Sequence, residues 1–91
     1  MPRPKMCRKL RFNAKVKYFK PQGIPLNSLE EISLTREELE AIKLKDFDGL
    51  DQVEAAEKMH TSQSTFQRIL SAARRKIAEA LIQGKALSIE E

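Results

Sequence analysis

The chain has 91 residues, of which 41% are hydrophobic and 33% are charged, and its formal net charge at pH 7 is +4. This length suits one small domain, and the hydrophobic fraction is too high for an intrinsically disordered chain. No apolar run approaches the length of a membrane span, and the N-terminus lacks the apolar region of a signal peptide. We therefore expect a cytoplasmic protein without a membrane partner.

The charges are distributed unevenly along the chain. The first 20 residues contain eight bases and no acid, whereas residues 21–61 contain ten acids and four bases. Residues 62–91 contain five bases and three acids. Basic charge at the start of the chain and along its last predicted helix favours a polyanionic partner. A solvated basic tail is the alternative explanation of the same charges.

Residues 1–34 are predicted to form a basic N-terminal arm followed by short strands and a Pro/Gly loop. Pro2 and Pro4 block a helix, so we expect residues 1–9 to form a mobile arm. The single cysteine, Cys7, has no partner for an internal disulfide, which fits a reducing compartment.

Short apolar alternations after the arm predict one or two strands, at Leu10–Phe12 and Val16–Tyr18. Residues 20–25 contain two prolines and a glycine, which predicts a loop. Ser28 begins a capping-box pattern that is typical of a helical turn. The following residues, Glu31–Leu34, are also compatible with an extended segment, and the sequence leaves both alternatives open.

Residues 35–84 are predicted to form a helical domain. Thr35 and Glu38 have the spacing of a capping box, in which each satisfies a free amide of the other at the start of a helix. We expect this helix to bury an apolar stripe that extends to Phe47, and Gly49 to end it in a left-handed conformation.

Two further helices are predicted to follow. Asp51 is placed to cap a helix over Gln52–Lys58. Ser62 is placed to cap a long helix that continues to about Gln83, where Gly84 provides a stop.

The junction between these two helices has the pattern of a helix-turn-helix. The small Ala56 stands where the helices cross, Met59 precedes the turn, and Phe66 and Ile69 follow the cap at the spacing of buried residues. His60 occupies the turn position where glycine is usual, so we expect a strained or differently shaped turn. Two amphipathic helices of an ordinary bundle are the alternative explanation of this pattern.

Residues 85–91 are predicted to form a short C-terminal strand, in which Ala86–Ile89 alternates. We expect this strand to pair with residues near Leu10–Phe12, so that a ribbon holds both ends of the chain. The predicted fold is therefore mainly α: a helix-turn-helix with short N- and C-terminal β-strands, forming one domain overall.

The helix that starts near residue 63 supplies the candidate binding site. In a helix-turn-helix its exposed N-terminal face enters the major groove of double-stranded DNA. Glutamine bonds adenine, and arginine bonds guanine or phosphate, so we predict base contacts by Gln63, Ser64, Gln67 and Arg68. Backbone contacts are predicted for the basic residues Arg3, Lys5, Arg8, Lys9, Arg11, Arg74, Arg75 and Lys76. The last three also suit the acids of a partner, or a solvated helix face.

Two family resemblances extend this interpretation. From Thr35 onward the chain resembles the fourth region of bacterial sigma factors, which reads promoter DNA. The shared motifs are Leu34-Thr35-x-x-Glu38, Ser62-x-x-Thr65-Phe66-x-Arg68-Ile69 and Ala73-Arg74-Arg75-Lys76. Almost the whole chain is similar to a family of small, uncharacterised prokaryotic proteins predicted to bind DNA, through the segments MPRPKMCRK, KVKYFKPQGIPL, LTREELEAI, GLDQVEAAEKM, STFQRIL and GKALSIE. Sigma-factor function proper is not expected, because regions for core polymerase and promoter melting are missing.

The sequence predicts no enzyme. Cys7 and His60 are the only cysteine and histidine, too few for a metal site. There is no nucleophile–base arrangement and no Gly-rich phosphate loop. The carboxylates between Glu30 and Glu40 are interpreted as solvated helix surface. We expect no cofactor, no metal and no small-molecule effector.

We therefore expect a DNA-binding transcriptional regulator that acts as a homodimer, since one recognition helix alone gives limited specificity. The first alternative is a protein-interaction module that docks on the transcription machinery through its acidic first helix. The second alternative is RNA binding, which rests on the basic arm and on Tyr18 and Phe19 as stacking residues.

Overall fold

The computed structural model describes residues 10–90, and within this range the chain is mainly α, as predicted. Its helices are α1 (Arg36–Ile42), α2 (Gln52–Lys58) and α3 (Gln63–Gln83), and its strands are β1 (Tyr18–Phe19), β2 (Glu31–Leu34) and β3 (Ala86–Ile89). A π-helical segment, Lys43–Phe47, continues α1, and a 3-10 turn covers Leu26–Ser28. Between residues 10 and 90 no helix is both long and apolar enough to cross a membrane.

The helix starts follow the predicted capping chemistry. The Oγ1 of Thr35 accepts from the amide of Glu38 at 3.1 Å, and Glu38 Oε1 accepts from the amide of Thr35 at 2.9 Å. Asp51 and Glu54 repeat this reciprocal pair at the start of α2. Each pair satisfies two amides at the helix start, that of the cap residue and that of the residue three positions later. Gly84 ends α3 with a φ of 68°, the left-handed conformation expected of a C-terminal stop.

The prediction that the buried stripe of the first helix extends to Phe47 is wrong. Leu44 is 5% exposed and belongs to the core, but Phe47 is 82% exposed. The amide of Asp48 donates to the carbonyl oxygen of Lys43 at 2.8 Å, a bond that spans five residues. This wider π turn rotates each following side chain less far than an α turn does, so Phe47 no longer faces the core.

The three strands form a sheet with β3 in its centre. β3 runs antiparallel to β1, with Tyr18 opposite Ser88, and parallel to β2, with Ile32 opposite Leu87. The predicted C-terminal strand is therefore present, but its predicted pairing near Leu10–Phe12 is wrong. The sequence left open whether Glu31–Leu34 belongs to a helical turn or is extended, and the structure confirms the extended alternative.

Side chains of α1 explain why the segment before β1 does not pair with β3. The amide of Phe12 donates to Glu40 Oε1 at 2.8 Å, while Arg36 Nη2 donates to the carbonyl oxygens of Phe12 at 3.0 Å and Leu10 at 3.4 Å. These bonds satisfy backbone groups that a sheet ladder would otherwise pair. The interpretation of the α1 carboxylates as solvated surface is wrong for Glu38 and Glu40, which are 8% and 4% exposed.

Two apolar clusters hold α3 along one side. The larger one joins α1, the π-helical segment, α2 and α3, and contains Ala41, Leu44, Ala55, Ala56, Met59, Phe66 and Leu70. The smaller one joins α3 to the sheet, and contains Leu34, Ala73 and Ile89. The opposite side of α3 is exposed along its whole length.

Candidate nucleic-acid interface

A tight turn of residues 59–62 connects α2 to α3. The amide of Thr61 donates to the carbonyl oxygen of Ala56 at 3.0 Å, and the amide of His60 donates to that of Glu57 at 3.0 Å. This pair of bonds is a Schellman motif, which needs a left-handed residue just after the helix. His60 is that residue, with a φ of 56°. The strain predicted for the turn is therefore located in the backbone of His60.

The start of α3 is fixed by its own cap and by α2. The Oγ of Ser62 accepts from the amide of Thr65 at 3.1 Å, as predicted. Gln52 Nε2, in α2, donates to the carbonyl oxygen of Gln63 at 3.3 Å. Ala56, which the sequence predicts at the helix crossing, is 2% exposed and lies in the same buried cluster as Phe66 and Leu70 of α3. The cap, the bond from Gln52 and the packing of Ala56 together define the orientation of α3 relative to α2.

The four predicted base-contact residues lie together on the exposed face of α3. Gln63, Ser64, Gln67 and Arg68 are all exposed. Gln67 Nε2 donates to Ser71 Oγ at 3.0 Å, and Arg68 Nη2 donates to Thr65 Oγ1 at 3.2 Å. These bonds are local, so the side chains keep further donors and the Gln67 amide oxygen for a ligand. Ser71 extends this face by one turn; its spacing of four residues from Gln67 is the sequence signal that could have identified it.

The basic residues further along α3 have three different environments. Arg74 forms a two-point ion pair with Asp46, with 3.1 Å between Nε and Oδ2. Lys76 Nζ donates to the carbonyl oxygen of Ser33 and to Glu38 Oε1, both at 2.8 Å. Arg75 is exposed, and no hydrogen bond or ion pair joins it to another residue between 10 and 90. A phosphate contact by Lys76 would therefore require both of its bonds to break.

The ion pair between Arg74 and Asp46 shifts the pKa of both groups. The hydrogen bond from Arg74 holds the pKa of Asp46 below its usual value, and the same bond raises the pKa of Arg74. Both side chains are more than a third exposed, so solvent screens their attraction.

The remaining predicted site residues lie on the N-terminal side of the fold. Arg11 is exposed, close to Lys43 and Lys58 at the rim of a groove beside α1. The predictions for Arg3, Lys5, Arg8 and Lys9, the mobile arm and Cys7 lie outside the described residues. Within residues 10–90 no group of three His, Cys, Asp or Glu residues is arranged to hold a metal ion.

Comparison with known proteins covers the whole chain. The family model described as "Protein of unknown function DUF134" matches residues 1–91. A UPF0251 protein of Thermoanaerobacter pseudethanolicus is 53% identical over 90 residues, which span 99% of this chain and 76% of the relative. UPF0251 proteins of Caldanaerobacter subterraneus subsp. tengcongensis and Dehalococcoides mccartyi are each 57% identical over 90 residues, which span 99% of this chain and 76% and 77% of the relatives. No solved structure matches the chain.

Proposed function

This chain belongs to the DUF134 family, and we propose that it is a transcriptional regulator that binds double-stranded DNA through the N-terminal half of α3. In this proposal α2, the turn at residues 59–62 and α3 act as a helix-turn-helix of the kind found in the fourth region of sigma factors. One observation carries the proposal. An exposed polar face, with two glutamines and an arginine, lies at the N-terminal end of a helix that α2 and the core hold in a defined orientation.

The chemistry of this face suits the edges of base pairs in the major groove. The groove is about 12 Å wide and admits an α-helix, whose diameter with side chains is about 10–12 Å. The amides of Gln63 and Gln67 each offer a donor and an acceptor, the combination that adenine requires. Arg68 suits guanine or a phosphate, and its bond to Thr65 orients the guanidinium without neutralising it.

Phosphate contacts are proposed to come from cations that the fold leaves accessible. Arg11 is exposed and accessible to a phosphate. A phosphate that binds Arg74 would have to compete with Asp46. Lys76 supports binding indirectly, because its bonds to Ser33 and Glu38 hold α3 on β2 and α1. Phosphate contacts are also proposed, from the sequence alone, for Arg3, Lys5, Arg8 and Lys9. All such contacts weaken as salt rises.

Selection from a random pool of duplexes at physiological salt tests the proposal. We expect a short motif to be enriched, because base contacts discriminate between sequences whereas phosphate contacts do not. If no motif is enriched and binding disappears at physiological salt, the interaction is non-specific attraction and the proposal is wrong.

We call Gln63, Ser64, Gln67 and Arg68 the reading face. The substitution Gln67→Ala tests whether this face contacts bases. We expect it to relax specificity at one or two positions of the motif and to cost about 1–3 kcal/mol of binding free energy on the preferred sequence. Fluorescence anisotropy with the preferred and a substituted duplex measures both effects. Gln22→Ala is the matched control, because Gln22 is an exposed glutamine in the loop before β2. Equal effects of the two substitutions would show that Gln67 does not read bases.

The alternatives gain no support from the geometry. The acidic surface proposed for protein docking is reduced, because Glu38 and Glu40 are buried and bonded within the chain. Tyr18 and Phe19 are both exposed, but they are consecutive in β1, so their side chains point to opposite faces of the sheet. They do not form one stacking platform for RNA bases.

A further inference from the structure

The C-terminal half of α3 carries a groove that the proposed DNA contacts do not use. The groove has a volume of about 370 Å³ and is lined by Arg75, Ala78, Glu79, Ile82 and Gln83. The first four of these have the spacing i, i+3, i+4 and i+7, which on a helix surface forms the hole that receives one side chain of a facing helix. Ala78 is the small residue in this hole, so a second helix can approach closely.

Large exposed apolar side chains lie at this hole and beside it. Ile82 is 84% exposed and Leu81 is 76% exposed. Leu81 also lines an adjacent groove of about 390 Å³, together with Phe19 and Leu87. Contiguous exposed apolar surface of this kind is typical of a contact between proteins.

We propose that a second copy of this chain occupies the hole, with the two α3 helices packed antiparallel about a two-fold axis that passes midway between Ala78 and Ile82, level with residue 80. In such an isologous contact each chain supplies the same residues to the other. Ile82 of each copy then lies against Ala78 of the other, inside the hole. Leu81 and Phe19 flank the contact on both sides of the axis.

Charge complementarity selects a second copy as the occupant. Arg75 has no hydrogen bond or ion pair with another residue between 10 and 90. Lys85 Nζ binds Glu79 Oε2 at 2.7 Å and Glu30 Oε1 at 3.0 Å, which leaves this group of three with one excess negative charge. The hydrogen bond from Lys85 is the main cause that holds the pKa of Glu79 below its usual value, and the charge of Arg75, four residues earlier on α3, is a smaller one. With this axis, Arg75 of each copy lies opposite the Lys85 end of this group in the other, where the side chain of Glu30 is 79% exposed.

This contact builds on the proposed regulator, but it involves surface outside the reading face. Gln63, Ser64, Gln67 and Arg68 precede the hole along α3 and stay exposed in the dimer. The sequence leaves three roles open for Arg75: a phosphate contact, a contact with the acids of a partner, and a place on a solvated helix face. The proposed dimer favours the contact with the acids of a partner.

Sedimentation equilibrium of the full chain without DNA, over the micromolar range, tests the inference. We expect a reversible monomer–dimer equilibrium. Ile82→Glu should weaken it by roughly 100-fold or more, because each dimer loses two buried isoleucines and gains two buried charges. Ala78→Gln should weaken it comparably by filling the hole, and it keeps a residue that favours helix. Phe47→Glu is the matched control, since Phe47 is 82% exposed but lines a different groove, with Leu39 and Ile42.

The outcomes separate dimerisation from DNA binding. A wild-type chain that stays monomeric throughout the range overturns the inference, and so does a dimer that tolerates both Ile82→Glu and Ala78→Gln. A dimer that Phe47→Glu weakens equally also overturns it. If Ile82→Glu does not fold, as judged by circular dichroism, Ala78→Gln decides. Duplex selection with the same preparations then reports on the reading face independently, because a monomer can still enrich one half-site.

Discussion

His60 concentrates backbone strain in the turn between α2 and α3. Its φ of 56° is positive, and no other non-glycine residue of the described chain has a positive φ. The left-handed conformation costs a residue with a Cβ atom about 1–2 kcal/mol, whereas glycine adopts it freely. The imidazole is exposed, so no core packing offsets this cost.

His60→Gly is therefore expected to stabilise the fold. The relief of strain exceeds the extra unfolded-state entropy of glycine, so we expect a gain of about 0.5–1 kcal/mol in the free energy of unfolding. Urea unfolding followed by circular dichroism measures it. Lys58→Gly, at the end of α2 where the backbone is helical, should instead destabilise the protein. A loss of stability in His60→Gly would contradict the left-handed turn.

Lys76 shows what a local pattern cannot predict about a single residue. The sequence groups it with Arg74 and Arg75 as a basic trio. The structure binds it to Ser33 and Glu38, which are 43 and 38 residues away in the chain. No periodicity or spacing within one helix contains that information, because it depends on how β2 and α1 pack on α3. The exposed positions of Gln63 and Gln67, in contrast, follow from helical spacing alone.

Lys76→Gln is expected to lower stability. The substitution leaves the carboxylate of Glu38, whose side chain is only 10% exposed, without its cation. Removing one partner of such a nearly buried pair costs about 1–3 kcal/mol. Urea unfolding measures the loss. Arg11→Gln removes an exposed cation and should change stability by less than about 0.5 kcal/mol. Equal stability of both variants would show that the bonds of Lys76 contribute nothing.

Helix starts could be predicted from the sequence, whereas strand partners could not. Each cap, at Thr35, Asp51 and Ser62, is a bond between residues three positions apart, so the sequence contains both partners within one turn. The partner of β3 depends instead on contacts between residues that are far apart in the chain. Glu40 occupies the amide of Phe12, which leaves Glu31–Leu34 to pair with β3.

The ion pair of Asp46 and Arg74 joins the π-helical segment to α3, and its contribution should depend on pH. Arg74 lowers the pKa of Asp46 from its usual 3.8, so the stabilisation is complete above that value and is lost as the pH falls through the lower folded pKa. Because both side chains are well exposed, we expect Asp46→Asn to cost less than about 1 kcal/mol at pH 7.

Urea unfolding of the wild type and Asp46→Asn, at neutral pH and again well below pH 4, measures this dependence. The two proteins should differ at neutral pH and converge in acid. Glu57→Gln, an exposed acid on α2, is the control and should show little difference at either pH. A difference between wild type and Asp46→Asn that persists in acid would assign the effect to packing and not to charge.

The helix α3 combines two surfaces along its length. Its N-terminal half presents the proposed reading face, and its C-terminal half presents the hole around Ala78. Gln67 and Ala80 are 13 positions apart, and with a rise of about 1.5 Å per residue they are separated by about 20 Å along the helix. In the proposed antiparallel dimer the two proposed reading faces are therefore at most about 40 Å apart. That distance admits half-sites separated by one turn of DNA, about 34–36 Å, and excludes two turns.

We therefore expect the selected motif to be an inverted repeat, with half-site centres about 10 base pairs apart. Inserting about 5 base pairs between the half-sites turns one of them to the opposite side of the duplex, and it should abolish the gain from the second half-site. Gel-shift titration of the two duplexes measures this gain. Ile82→Glu should bind both duplexes with the lower affinity of a single half-site, whereas Phe47→Glu should distinguish them as the wild type does. Equal binding of the wild type to both duplexes would show that the proposed dimer does not bind two half-sites at once.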